Sequence, residues 1–147
     1  MVIRLIFALL FLFTSNSWAD TNTPLSPIGS WQTTNEDNQP TSIIKISVQE
    51  GTLVGHIVKL LPASTFKISD VCTECPEYSK NQPILGLMFL WGFVSDPKGG
   101  WTNGKVLDPH NGHVYKGTMK ISADGNTLQL RGYWGPLWKT QTWSRAN

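Results

Sequence analysis

Two short spacings carry most of the chemistry this chain of 147 residues could perform: Cys72-x-x-Cys75 and His110-x-x-His113. A cysteine pair of this kind can be a disulfide, a redox centre or half of a zinc site. A redox pair opens a helix whose N-terminus stabilises the thiolate, usually within a βαβ unit. Here Pro76 follows Cys75 directly, and no βαβ pattern surrounds it. A zinc site would draw on Cys72, Cys75, His110 and His113, but structural zinc sites place three to five residues between their histidines. In an oxidising compartment two cysteines of one loop pair with each other, and the chain-entropy gain for so short a loop is about 2 kcal/mol. A Cys72–Cys75 disulfide is therefore the expectation, with redox and zinc as rivals and no metal assigned. Asp108 with Glu74 or Glu77 would supply the paired carboxylates of a glycosidase. However, Asp108-Pro109 opens a turn that runs to Gly112, where Asp commonly caps the backbone. There is no G-x-S-x-G elbow, H-E-x-x-H helix, phosphate loop or dinucleotide fingerprint. The reading assigns no catalytic residue and no cofactor, and it expects no enzyme.

The first residues read as an export signal. Arg4 precedes the apolar run Leu5 to Phe13, and small residues at Ser17 and Ala19 fit a peptidase cut after Ala19. The run is shorter than the ~20 apolar residues that span a bilayer, and the next most apolar stretch, Ile84 to Val94, is broken by Gly86 and Gly92. The expected organisation is a signal peptide over 1–19, a polar leader over 20–27 and one domain over 28–146. The product would be periplasmic or secreted and not an integral membrane protein. Beyond the signal the formal charge is +1, because Arg4 carries one of the chain's 12 basic side chains, set against 10 acidic ones. Lysines scattered along the sequence give no basic stripe, so neither nucleic acid nor an anionic membrane is expected as a partner.

The elements that would position these residues are strands. Turn signals at Glu50-Gly51, Asp96 to Gly100, Asp108 to Gly112, Asp124 to Asn126 and Gly135-Pro136 punctuate the chain. Between them the pattern predicts strands near 29–34, 41–48, 52–61, 84–94, 101–107, 112–121, 126–134 and 138–145. Ile44, Ile46 and Val48 alternate with polar neighbours, as do the residues of Tyr115 to Ile121 and Leu128 to Arg131. The interval 62–82 breaks the rhythm and holds both cysteines; a short helix there is compatible with the sequence. The predicted fold is all-β: one eight-stranded antiparallel up-and-down barrel with a long loop at 62–82. Closure would remove the exposed sheet edges.

Seven stretches, taken in order, resemble one known family. They are Gly29-Ser30-Trp31-Gln32-Thr33, Cys72-Thr73-Glu74-Cys75-Pro76, Pro83-Ile84-Leu85-Gly86, Trp101 to Pro109, Asn111-Gly112 with Tyr115, Leu130-Arg131-Gly132-Tyr133 and Thr140 to Arg145. Together they resemble the bacterial exported family catalogued as domain of unknown function 2147, across about Ile28 to Arg145. That family is similar in fold to the lipocalins (calycin-like barrels) and has no established activity. The resemblance implies that Gly29-x-Trp31 opens the first strand, with Trp31 at the closed end of the barrel beneath Arg145 from the last strand. The lipocalin Thr-Asp-Tyr motif has no clear counterpart, and no C-terminal helix is expected.

Apolar residues fall on both faces of the predicted fourth strand: Leu85, Leu87, Phe89 and Trp91 on one, Ile84, Met88, Leu90 and Phe93 on the other. One set would face the interior, and the other would lie under the 62–82 loop or against a partner. Tyr115, Met119, Tyr133 and Trp143 are the expected inward residues opposite. An eight-stranded barrel is just wide enough to be filled by side chains or to hold one small ligand. The first reading is thus a carrier of a small apolar or amphipathic ligand lined by Phe89, Trp91, Tyr115, Met119 and Tyr133, with Arg131 or a tyrosine hydroxyl orienting a polar head. The alternative is an envelope interaction module with a filled core, whose contacts would be exposed aromatics such as Trp101, Trp134 or Trp138.

Overall fold

The structure, a computed structural model, describes residues 25–147. The expected signal peptide, its cut after Ala19 and the leader up to residue 24 lie outside the described residues. Alternating side chains place one face of each strand inward, and closure of the sheet buries that face without a second layer. The strands are β1 (Gly29–Thr34), β2 (Pro40–Gln49), β3 (Thr52–Leu60), β4 (Met88–Ser95), β5 (Trp101–Leu107), β6 (Val114–Ile121), β7 (Thr127–Trp134) and β8 (Leu137–Arg145). Each pairs antiparallel with the next, and β1 pairs with β8 to close the barrel. No helix occurs among the described residues.

One end of the barrel is plugged. Trp31 is fully buried, and its indole Nε1 donates to the Pro27 carbonyl at 2.8 Å. The Arg145 guanidinium carbon lies 4.1 Å from the centre of the Trp31 ring. The same guanidinium donates to the carbonyls of Gly125 (3.1 Å), Ile28 (3.0 Å) and Ser26 (3.1 Å). It thus ties the approach to β1 and the β6–β7 turn across the base. Gly29, with φ of 129°, is held there by space: a Cβ would stand 3.1 Å from Arg145 Nη1. Ile44, Ile46, Leu90, Phe93, Met119, Leu128 and Trp143 join Trp31 in one buried cluster.

β4 departs from its expected form. It begins at Met88, not residue 84, because Ile84–Leu87 forms a turn in which Leu87 N donates to Ile84 O at 3.1 Å. The strict two-residue alternation also fails. The β3–β4 register shifts around Gly55 and His56, and Gly92 adopts φ of 75°. As a result Ile84, Leu87, Phe89, Leu90 and Phe93 are all buried, whereas Leu85 and Met88 are exposed.

The 62–82 loop packs on the barrel without forming a helix. The Cys72–Cys75 disulfide is buried within it. A small bridge, Val71 with Pro83, and the bonds Cys72 N to Gln82 O and Asn81 N to Cys72 O close its base. Tyr78 meets Trp91 edge to face at 6.1 Å, so the loop covers the outer side of β4. Gly112, at φ of 73°, is where this loop abuts the β5–β6 hairpin; a Cβ there would run into the Glu74 carbonyl.

Replacement of Arg145 by Ala removes the contact with Trp31 and three carbonyl partners. With about 1 kcal/mol for the cation–π contact and a similar or larger share for charge-assisted hydrogen bonds, the expected loss is about 3 kcal/mol in urea unfolding. Arg145→Lys should recover less than half, because one ammonium cannot span three acceptors. Reduction of Cys72–Cys75 should cost about 2 kcal/mol, seen as a lower unfolding midpoint with dithiothreitol.

Candidate ligand-binding site

From the plugged base the strands rise to an open end formed by the β1–β2, β5–β6 and β7–β8 hairpins and by residues 61–66. Here the barrel holds a cavity of about 620 Å³, within the 300–1,000 Å³ usual for small-molecule sites. Its floor is apolar: Ile44, Ile57, Phe89, Leu130 and Trp143. Phe89 and Trp143 are tilted rings 6.1 Å apart. One wall carries a hydroxyl cluster, in which Thr33 Oγ1 lies 2.7 Å from Thr41 Oγ1 and 2.6 Å from Ser42 Oγ. The neighbouring wall is β8, whose Leu137, Lys139, Gln141 and Trp143 all line the cavity. Gln141 Oε1 accepts a 3.1 Å bond from Trp143 Nε1, which ties the floor indole to the wall.

Strand parity decides which expected residues reach this space. Gly132 lines the cavity and pairs with Lys139, so Arg131 and Tyr133 on either side of it point outward. There they line a separate outer groove of about 210 Å³ with Thr118, Lys120, Gln129 and Thr140. Arg131 Nε donates to Thr140 Oγ1 at 2.9 Å, and its guanidinium lies 5.8 Å from the Trp138 ring. Tyr133 Oη stands 3.5 Å from Thr118 Oγ1. This hydrogen bond, with smaller help from Arg131 and Lys120, lowers the phenol's pKa against slight desolvation. Trp91 is also outside, against Tyr78. Met119 is inside but beneath the cavity, in the packed core. Of the six residues expected to line the site, Phe89 and Tyr115 do so.

The sequence reading passed over Lys139, Gln141, Thr33, Thr41 and Ser42. Period-two logic assigns polar residues to the wet face, and here the upper interior is itself wet. The one available signal was parity along β8: counting back from an inward Trp143 places Gln141, Lys139 and Leu137 on the same side. Lys139 has no carboxylate partner, since the sole ion pair among the described residues is His110 with Asp108.

The rim carries a polar relay. Thr65 Oγ1 is 2.8 Å from His110 Nε2, and His110 Nδ1 is 3.1 Å from Asp108 Oδ1. The order matches a nucleophile, base and orienting acid, yet its setting is that of a turn. Asp108 Oδ1 also accepts from His110 N at 2.9 Å, and Gly112 N donates to Asp108 O at 2.8 Å. Phe66 packs on the His110 ring at 4.4 Å. The relay thereby pins loop 61–66 to the β5–β6 hairpin. His113 meets Tyr115 and Trp134 edge to face, at 6.1 and 4.6 Å. With the cysteines bonded to each other, no cluster of three His, Cys, Asp or Glu side chains able to hold a metal occurs among the described residues.

No curated protein sequence matches the chain. Among solved structures it is similar to protein HP1028 of Helicobacter pylori, a protein described as belonging to the lipocalin family. The TM-score is 0.69 at 20% identity, covering 84% of this chain and 84% of that one, and the likeness is one of fold. The chain also matches, over residues 29–145, the family described as an uncharacterised protein conserved in bacteria. With all eight strands of the barrel inside that match, the chain belongs to the DUF2147 family.

Proposed function

We propose that this protein is an exported binding protein whose barrel takes up one small apolar or amphipathic molecule through its open end. The observation that carries the reading is the cavity of about 620 Å³, with an apolar floor and polar groups confined to its upper wall. Such a polarity gradient suits a ligand whose apolar part goes in first and whose head stays near the mouth. Lys139 and the Tyr115 hydroxyl are the head-group partners the geometry favours, in place of the outward Arg131. A ligand hiding ~400 Å² of apolar surface would gain about 10 kcal/mol. Set against an association cost of at least about 4 kcal/mol, this leaves binding in the range of tens of micromolar. Export is supported by the Cys72–Cys75 disulfide, which persists in oxidising compartments. No helix among the described residues is long and apolar enough to cross a membrane.

A filled barrel that acts only through its surface is the weaker reading, because side chains fill the lower interior and not the upper. An enzymatic reading is weaker still. Asp108 is the one carboxylate among the cavity-lining residues, and it is committed to the turn that contains His110.

The reading is tested on protein purified from its natural export compartment. Mass spectrometry after organic extraction should release a stoichiometric small molecule, and the stripped protein should enhance the fluorescence of anilinonaphthalene sulfonate saturably. A protein that yields no molecule and no saturable signal would overturn it. Gly132→Leu should abolish probe binding yet leave the fold intact: its Cβ fits 3.6 Å from Tyr115 Cβ, and the rest of the side chain fills the cavity. Lys139→Glu should weaken an anionic amphiphile about tenfold and a neutral one little, as measured by competition with the probe.

A further inference from the structure

The outer surface of β5–β8 is unlike the rest of the barrel. Lys105 and Lys116 stand directly opposite each other on adjacent strands, an arrangement that destabilises a sheet unless something screens the charges. The next residues along the same row are Tyr133 and Trp138. Beside them the outer groove presents Lys120 and Arg131 with the hydroxyls of Thr118, Tyr133 and Thr140, and Asp96 at its margin. None of these cations has a carboxylate within ion-pair distance among the described residues. The sequence scatters these charges over 27 positions, from Lys105 to Arg131, and hairpin pairing gathers them on one face.

At the open end of this face the β7–β8 hairpin projects an apolar tip. Trp134, Leu137 and Trp138 are 60%, 72% and 62% exposed, around a tight turn at Gly135 with φ of 56°. Exposed tryptophans next to basic residues match the chemistry of a lipid–water interface, where indoles settle at headgroup depth and Lys and Arg meet anionic headgroups. An ordinary exposed protein-binding patch would not need the unpaired cations behind it. The acids of the open end, Glu36 and Asp37 in the β1–β2 turn and Glu74 and Glu77 in the 62–82 loop, keep the whole mouth from lying flat on such a surface.

We propose that the β5–β8 face and its Trp134–Trp138 tip form a docking surface for an anionic lipid bilayer. The tip enters the interface while Lys105, Lys116, Lys120 and Arg131 lie against headgroup phosphates. The cations of this surface lie outside the interior cavity, whereas Trp134, Leu137 and Trp138 also line the cavity's mouth.

The test is co-sedimentation of residues 20–147, a span that keeps every strand and core residue found among the described residues and leaves out the apolar run 5–13, itself a lipid-seeking segment. Vesicles of equal phosphatidylglycerol and phosphatidylcholine are compared with vesicles of phosphatidylcholine alone. Binding should favour the anionic vesicles at least tenfold and fade between 0.05 and 0.5 M salt, as an order-of-magnitude range set by screening. Each cation removed from the face should cost about fivefold, the equivalent of about 1 kcal/mol, so Lys105→Glu with Lys116→Glu should lose well over tenfold. That pair lies on the outer face, and its anilinonaphthalene sulfonate titration should match the parent protein, which separates this proposal from the cavity reading. Leu137→Ser with Trp138→Ser should abolish the blue shift of tryptophan emission on anionic vesicles. Equal binding to both vesicle types, no binding to either, or an unaltered Lys105→Glu, Lys116→Glu protein would overturn the proposal. Specific, saturable capture of a polypeptide by the tip in the absence of vesicle binding would reassign it to a protein partner.

Discussion

A guanidinium held over an indole settles more than one end of this barrel. Trp31 is inward and immobile because Arg145 covers it and Pro27 accepts its N–H. Side chains alternate along a strand, so fixing one inward residue on β1 fixes the parity of every residue that strand pairing links to it. Trp31 pairs with Ile44 on β2 and Arg145 on β8, and Trp143, two residues before Arg145, pairs with Leu128 on β7. A slip of one residue would turn Trp143 and Leu130 outward and bring Arg131 into the core, where an unpaired guanidinium costs far more than it returns. The closure therefore decides which side chains are floor, which are wall and which are surface.

Closure is also local. Only Trp31 with Arg145 and Gln32 with Ser144 join β1 to β8, although β8 extends to Leu137 and pairs with β7 along its whole length. The seam is thus tight at the base and unpaired toward the mouth. This asymmetry produces two kinds of interior. Below, the Phe93 ring lies over Gly104 and Gly117 so closely that neither glycine has room for a Cβ, and Met119, Leu128 and Ile46 complete a packed core. Above, Gly132 and the Thr33, Thr41 and Ser42 hydroxyls leave the space that the cavity occupies. The choice between a filled barrel and a ligand-holding one thus has a different answer in each half.

The architecture was legible because its determinants are local. Turn residues at 50–51, 96–100, 108–112, 124–126 and 135–136 bound the strands, and seven of the eight run within two residues of the expected ranges. The start of β4 was missed because Gly86 and Gly92 interrupt an otherwise apolar run, and hydrophobicity alone cannot show where a ladder begins. The interior was less legible. Phe89 and Tyr115 are large and apolar enough to read as lining residues, but Arg131 and Tyr133 were placed inside on chemistry rather than parity. Lys139 was overlooked because a charged residue on an alternating strand reads as solvent-facing. Such a rule holds for a barrel filled to its rim, and it fails where the upper wall meets water.

Net charge was the other quantity that hid its content. A formal charge of +2 on the whole chain describes a neutral surface only if the charges mix, and here they separate. Glu36, Asp37, Glu74 and Glu77 fall in turns and the long loop, whereas Lys105, Lys116, Lys120 and Arg131 fall on outward positions of consecutive strands. Three antiparallel pairings, β5 with β6, β6 with β7 and β7 with β8, bring those positions side by side. Consecutive hairpins fold sequence-distant positions onto one face with a fixed parity, so the same alternation that lines the cavity builds the electropositive outer sheet. The field of a protein acts through its distribution as well as its sum, and in this barrel the sum conceals a polarised molecule. Lys139 and Arg131 sit on neighbouring strands one register position apart, one inward and the other outward, and that offset divides the surface that meets solvent from the one that meets a ligand.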